Sequence, residues 1–511
     1  MKRGPYSRGL TVCVAACLAL WSACAIWFFY ARGWLYLFID SEAHLNIARR
    51  IIDNRTPGYL QVGTVWLPLP HWLILPLVHS DTLWRNGLAG AIPTGLCFVV
   101  GGTLIFAATR RIFDSTAAGI AAAAVLALNP NLMYLQSTAM TEAVFLACLA
   151  GMLYGSVRFA EQQSWRAVLG TAAATIAATL TRYEGWFLIP FVAAYFLVVG
   201  KRRRVTAALL FGAIAALGPL FWFAHNWWLD GNPLGFYTGQ YSARAIQGGQ
   251  SYPGMNNWWL ALLYYATDAR MCAGWLLTLL AIAGAAIAIR RRILWPIVLL
   301  ALPGIFYVWS MHSTGGTPIY VPTLWPFGYY NTRYGLAVLP LLAFCAAALV
   351  GPVANRRTSG QPVQASAVRP PAVLATAVVF LAALPWLVDP HPAAWITLRE
   401  GQVSSEARLH WTGEIARLLG PRYRMGSGIV SSYGDTNGIY RRAGIPLRET
   451  LSVDNDLLYV APLLRPDLLR EEWAVIRDID PMRKSLLANG RYTLKLRIVV
   501  KDAPAVEVYR R

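Results

Sequence analysis

About eleven uncharged apolar stretches divide this chain, near residues 9–31, 87–109, 116–136, 143–157, 167–181, 185–200, 205–224, 271–289, 293–311, 334–353 and 371–388. Some are short, but most approach the ~20 residues that a helix needs to cross ~30 Å of hydrocarbon. In hydrocarbon a helix is one of the few ways to satisfy every backbone amide, so the pattern dictates a polytopic transmembrane helical bundle. Composition agrees, with 56% hydrophobic and only 14% charged residues, against roughly 25% charged in ordinary globular domains. The net charge of +20 does not point to nucleic acid, because the basic residues sit mostly in short clusters between apolar runs, as membrane topology requires. All seven cysteines lie in apolar segments and none follows residue 345, which supports neither a disulfide framework nor a cysteine metal site.

The first stretch follows Lys2, Arg3 and Arg8 and ends in Trp27-Phe28-Phe29-Tyr30 without a small-residue cleavage site, so it reads as an uncleaved anchor. Residues 63–80 are apolar but carry Pro68, Pro70 and Pro76, and a regular helix through them would lose hydrogen bonds. Read as interfacial or re-entrant, this segment leaves Arg110-Arg111, Lys201-Arg202-Arg203-Arg204, Arg290-Arg291-Arg292 and Arg356-Arg357 all on the cytoplasmic side. The N-terminus is then cytoplasmic and residues 389–511 are outside. Of the acids before residue 389, only Asp114 and Glu161 fall inside, whereas all seven histidines fall outside. Chemistry, if there is any, belongs to the outer face.

The long outer loops span about 32–86, 225–270 and 312–333, and residues 354–370 form a polar cytoplasmic linker. The domain division expected is 1–388, a membrane domain, and 389–511, a small α/β domain. Within the latter, 406–420 has the periodicity of an amphipathic helix, 492–500 alternates like a strand, and 431–446 is turn-rich.

Four sites carry ionisable groups at the membrane surface. In "FIDSEAHLNIARRIID" (38–53) Asp40 and Glu42 stand two apart. Such carboxylates can take a proton from a hydroxyl or bind a divalent metal, or they can simply cap a helix, with Asp40 or Ser41 as the cap. Glu142, in "MTEAVFLA" (140–147), directly precedes a long apolar run. Ionisable groups at that depth usually serve a site, although a helix N-terminal acid is the simpler alternative. In "LTRYEGWFLIP" (180–190) Arg182 and Glu184 hold a tight turn, or Arg182 instead faces a phosphate. Arg333, in "FGYYNTRYGLAVLPLLA" (327–343), either snorkels between Tyr330 and Tyr334 or neutralises charge on a phosphate leaving group. "WWLDG" (227–231) reads as an aromatic belt and turn, and the spacing of His71 and His79 does not suit a metal site.

Order and topology together resemble the GT-C superfamily of integral-membrane glycosyltransferases, in its aminoarabinose-transferase-like and protein O-mannosyltransferase-like branch. The resemblance covers roughly 10–345 and rests on the acidic motif in the first outer loop, "MTE" (140–142), "LTRYEG" (180–185) and "TRYGLAVLP" (332–340). It implies transfer of a sugar from a polyprenyl-phosphate donor to an acceptor hydroxyl of a lipid, polysaccharide or protein, on the outer side of a bacterial inner membrane. By that resemblance Asp40 is the general base, with Glu42 the alternative because Ser41 separates acids that are adjacent in many relatives. Glu142, with Asp40, would hold a divalent metal or orient the donor. Arg182 and Arg333 would bind the phosphate, and Glu184, His44 and Tyr334 complete the expected substrate-binding set. A lipid-linked-sugar transporter or flippase is the competing function. It would carry polar groups along the whole path, whereas here they gather at one face.

Overall fold

The structure, a computed structural model, describes residues 8–351, 371–432 and 434–511. The linker 354–370 with Arg356 and Arg357, the basic residues Lys2 and Arg3, and Tyr433 of the turn-rich segment lie outside the described residues.

Among the described residues, every one of the apolar stretches is largely helical. Arg8–Ala31, Leu88–Phe113, Glu142–Gln162, Arg204–Asp230, Trp295–His312 and Pro371–Val388 are each long and apolar enough to cross a membrane. Trp165–Thr179, Glu184–Val199 and Thr332–Ala347 are shorter. Two others are bent pairs. Thr116–Ala127 turns by 69° into Pro130–Gln136, where Asn129 caps the second helix through its Oδ1 and Pro130 takes the first position, which has no amide to satisfy. Trp258–Ala273 turns by 108° into Trp275–Arg290 at Gly274, whose φ of 85° a side chain would resist. Trp258–Ala273 lies largely in what the sequence suggested was an outer loop. Its Asp268 and Arg270 interrupt the apolar run, but Asp268 is buried rather than solvated. Residues 63–80 contain one short helix, Leu69–Ile74, only ~9 Å long at 1.5 Å per residue and so unable to cross a membrane.

The chain divides into two compact units. The first comprises Met1–Phe29, Thr64–Leu69 and Ile92–Glu400, and the second Tyr30–Gly63, Pro70–Ala91 and Gly401–Arg511. In the first, small residues let helices approach closely. A methyl group at Gly155 would overlap the Thr171 hydroxyl, and one at Gly218 would overlap that of Thr179. Helix Trp165–Thr179 is thereby locked against both Glu142–Gln162 and Arg204–Asp230.

The second unit joins much of the first outer loop to the C-terminal domain. Its sheet contains β1 (Ile429–Ser431), β2 (Thr450–Leu451), β3 (Trp473–Arg477), β4 (Thr493–Ile498) and β5 (Val506–Arg510), in the order β2-β1-β3-β5-β4. β1 is parallel to β2 and β3, while β5 is antiparallel to β3 and β4. Val430, Ala474, Ile476 and Tyr509 pack with Met482 and Leu486 in its core. The edge strand β4 is mostly exposed and carries Lys495 and Arg497, charges that discourage further strand pairing. The amphipathic helix runs Ile396–Leu419.

Candidate functional site

In the first unit, Glu142 and Glu184 each begin a helix, Glu142–Gln162 and Glu184–Val199, where the helix dipole favours a carboxylate. The helix-terminal and site readings of these acids are therefore compatible. Arg182, in the turn between Trp165–Thr179 and Glu184–Val199, connects them. Its Nε donates to Glu184 Oε1 at 2.7 Å, and its Nη1 donates to Glu142 Oε1 at 3.0 Å and to Thr141 Oγ1 at 2.6 Å. Its Nη2 donates to the Tyr307 hydroxyl at 2.6 Å, and that hydroxyl in turn donates to Glu184. Arg333, on the 3-10 helix Thr332–Val338, brings Nε to 3.3 Å from the same Glu142 Oε1.

Both guanidinium groups lie near the Tyr334 ring, 5.3 Å and 5.1 Å from its centroid, and Tyr334 stacks on Tyr307 at 4.4 Å. All four charged side chains are at most 12% exposed, so each ion pair is held in low dielectric, where attraction is strong but any missing partner is costly. The second oxygen of Glu142 is buried with no hydrogen-bond partner. Beside it is a cavity of about 30 Å³, roughly the volume of one water molecule.

Next to this cluster is an apolar groove of about 500 Å³, lined by Trp258, Leu262, Tyr265, Gly304, Ile305 and Val338 among others. Tyr265 belongs to both regions, because its hydroxyl donates to the Tyr334 carbonyl at 3.3 Å. A side chain at Gly304 would meet Val338 and Tyr265, so glycine keeps the groove open there.

In the second unit the first acidic motif forms helix Ile39–Arg50, with Phe38 at its N-cap position and no side-chain cap. Neither Asp40 nor Ser41 caps it, and the Ser41 hydroxyl donates to the Leu35 carbonyl instead. Glu42 is buried and engaged at both oxygens. Arg408 Nη1 donates to Oε2 at 2.8 Å and Arg441 Nε to Oε1 at 3.1 Å. Arg408 Nη2 also donates to the carbonyls of Tyr36 and Leu37, and Arg441 covers the Tyr36 ring. Asp40 is partly exposed in the first turn of the same helix. His44 is buried, with Nδ1 2.9 Å from His71 Nε2. Burial above all, then the charges of His44 and Arg50, hold the basicity of His71 well below that of an ordinary histidine.

A family model for dolichyl-phosphate-mannose-protein mannosyltransferases matches residues 68–228, a stretch that contains Glu142, Arg182 and Glu184. No curated protein sequence matches the chain. Among solved structures, ArnT from Cupriavidus metallidurans bound to undecaprenyl phosphate is similar over 95% of this chain and 97% of its own, at 14% identity and a TM-score of 0.54. The same protein in its apo state covers 98% of both chains at 15% identity and a TM-score of 0.53. The oligosaccharyltransferase from Archaeoglobus fulgidus in its apo form covers 92% of this chain and 70% of its own, at 12% identity and a TM-score of 0.46. The chain shares the fold of ArnT. It is an integral, multi-pass membrane protein.

Within this fold the structure brings together Glu142, Arg182, Glu184, Arg333 and Tyr334 in the first unit, and sets Asp40, Glu42 and His44 on one helix of the second. Sequence reasoning did not single out Tyr307 or Thr141, which complete the shell of Arg182, nor Arg408 and Arg441, which enclose Glu42. Tyr307 carries the one visible signal, a hydroxyl within the apolar run 293–311. The expectation of a divalent metal at Glu142 does not suit its surroundings in the first unit. Two guanidinium groups already occupy its engaged oxygen and would repel a cation. Among the described residues no three His, Cys, Asp or Glu side chains gather as a metal site.

Proposed function

We propose that this protein is a glycosyltransferase that moves a sugar from a polyprenyl-phosphate-linked donor to an acceptor hydroxyl at the outer face of the membrane. The observation that carries this reading is the convergence of Arg182 and Arg333 on a single carboxylate oxygen, beside an apolar groove of about 500 Å³. A polyprenyl phosphate has that same division between a dianionic head and an apolar tail. The small cavity admits no phosphate as it stands, so the head group enters by displacing Glu142 from Arg333. The family model over 68–228 and the bound undecaprenyl phosphate of ArnT support the same donor class.

In the proposed reaction Asp40 takes the proton of the acceptor hydroxyl as its oxygen bonds to the anomeric carbon. The bond from that carbon to the phosphate oxygen breaks, and its electron pair leaves with polyprenyl phosphate, whose added negative charge the two arginines stabilise. Glu42 serves as scaffold, since both its oxygens are committed to Arg408 and Arg441. Glu184 and Tyr334 orient Arg182 and Arg333. His44 completes the acidic helix on the acceptor side. No step is routed through a metal. The proposed setting is a bacterial inner membrane, with residues 1–388 as the catalytic membrane domain and residues 389–511 in the periplasm. The acceptor is a lipid, polysaccharide or protein.

The test is turnover and binding of polyprenyl-phosphate sugars by purified protein, wild type against Asp40→Asn. Loss of a general base is expected to slow release of polyprenyl phosphate by ~10²–10⁴-fold while donor binding survives. Donor binding without release by the wild type, with membrane extracts supplied as acceptor, would favour a transporter.

A further inference from the structure

Arg333 belongs to a segment whose own sequence does little to hold it. The 3-10 helix Thr332–Val338 follows Asn331, which has a φ of 57° and provides no side-chain cap. The first amides of any such helix lack partners within it. Here a distant residue supplies them. Glu400, on helix Ile396–Leu419, is 5% exposed. Its Oε1 accepts the Asn331 amide at 2.8 Å, and its Oε2 accepts the Thr332 amide at 2.8 Å and the Thr332 hydroxyl at 2.6 Å. The left-handed turn at Asn331 aims these successive amides at one point, making a concave anion receptor. Burial pushes the Glu400 carboxyl up, while the charge of Arg333 and the three donors oppose that shift.

Glu400 is not needed simply to dock its helix. Thr397, one turn earlier, already does so, with its amide and hydroxyl 3.1 Å and 3.0 Å from Asn131 Oδ1. Trp395 packs against Phe28 and Phe29 at the same end. What Glu400 adds is control of the segment that begins one residue before Arg333. We infer that Glu400 is a positioning residue for donor binding, which fixes the start of Thr332–Val338 so that the Arg333 guanidinium is presented to the donor phosphate. The inference rests on the reading of Arg333 as a phosphate ligand.

The experiment measures binding of undecaprenyl phosphate to the purified full-length protein, with affinity, stoichiometry and melting temperature recorded for each variant. Glu400→Gln keeps the size but replaces an acceptor with a donor, and Thr332→Val removes one bond while leaving the backbone intact. Each is expected to weaken affinity about tenfold, at unchanged stoichiometry. A purely structural defect would instead lower stoichiometry or melting temperature and leave the affinity of the folded fraction unchanged. In an Arg333→Ala background, Glu400→Gln is expected to add less than about twofold, because residues acting through one contact are not additive. Wild-type affinity in both Glu400→Gln and Thr332→Val, or full additivity with Arg333→Ala, overturns the inference. If Arg333→Ala itself binds as the wild type does, the phosphate reading fails and this inference falls with it. Loss in Arg333→Ala with none in Glu400→Gln and Thr332→Val sinks this inference alone.

Discussion

Two buried carboxylates in this protein each lie between a pair of guanidinium groups, and they differ in how completely they are satisfied. Glu42 in the second unit gives one oxygen to Arg408 and the other to Arg441, and Arg408 Nη2 also donates to two backbone carbonyls. Glu142 in the first unit shares one oxygen between Arg182 and Arg333 and leaves the other buried without a partner, beside a cavity. An unmade hydrogen bond on a buried group costs about 1–3 kcal/mol, and a folded protein usually tolerates that where the group has something to do. Satisfied ion pairs fix a structure, whereas a half-satisfied one keeps capacity for a ligand.

The contrast can be broken most directly at Glu42. Glu42→Ala leaves two buried cations facing each other, and a loss of about 3–5 kcal/mol of stability is expected, seen as a lower melting temperature of the purified protein. A melting temperature equal to that of the wild type would mean that the closed network is not structural. Arg333→Ala tests the open network: donor-dependent turnover should fall by ~10²–10³-fold with little change in melting. Glu142→Gln sharpens the comparison, since the two arginines lose a competing negative charge. Binding of polyprenyl phosphate should then tighten, by up to about tenfold, and weaker binding would contradict the idea that Glu142 occupies the position of the phosphate.

The smallest effect concerns His71, whose basicity is held low by burial, then by His44 and Arg50. The unfolded chain, with a histidine near its ordinary value of ~6.5, binds more protons than the fold below that pH, so stability should decline as pH falls through ~6.5, by at most ~1.4 kcal/mol per unit. In His71→Gln that part of the pH dependence should flatten.

The spans were legible because hydrocarbon imposes its length directly on the sequence, and charges beside apolar runs marked Glu142, Arg182, Glu184 and Arg333. Helix Trp258–Ala273 was less legible, since a buried Asp268 looks the same in sequence as a solvated one. The partners of Glu42 were invisible for a different reason. Arg408 and Arg441 lie more than 350 residues further along the chain, and no local pattern encodes a contact at that separation. Glu400 gave no signal either, standing in a charged helix among other acids.

The glycine contacts along helix Trp165–Thr179 have a consequence far from where they lie. Gly155, pressed on Thr171, is ~20 Å along its helix from Glu142, at 1.5 Å per residue. Prying that crossing apart with a single methyl group and tilting the helix by ~5° would swing its far end by ~2 Å, and a displacement of even 1 Å at a reacting centre can cost ~10²-fold in rate. Gly155 thus acts as the fulcrum of a long lever, and precision at the charged end is set by the absence of an atom at the other.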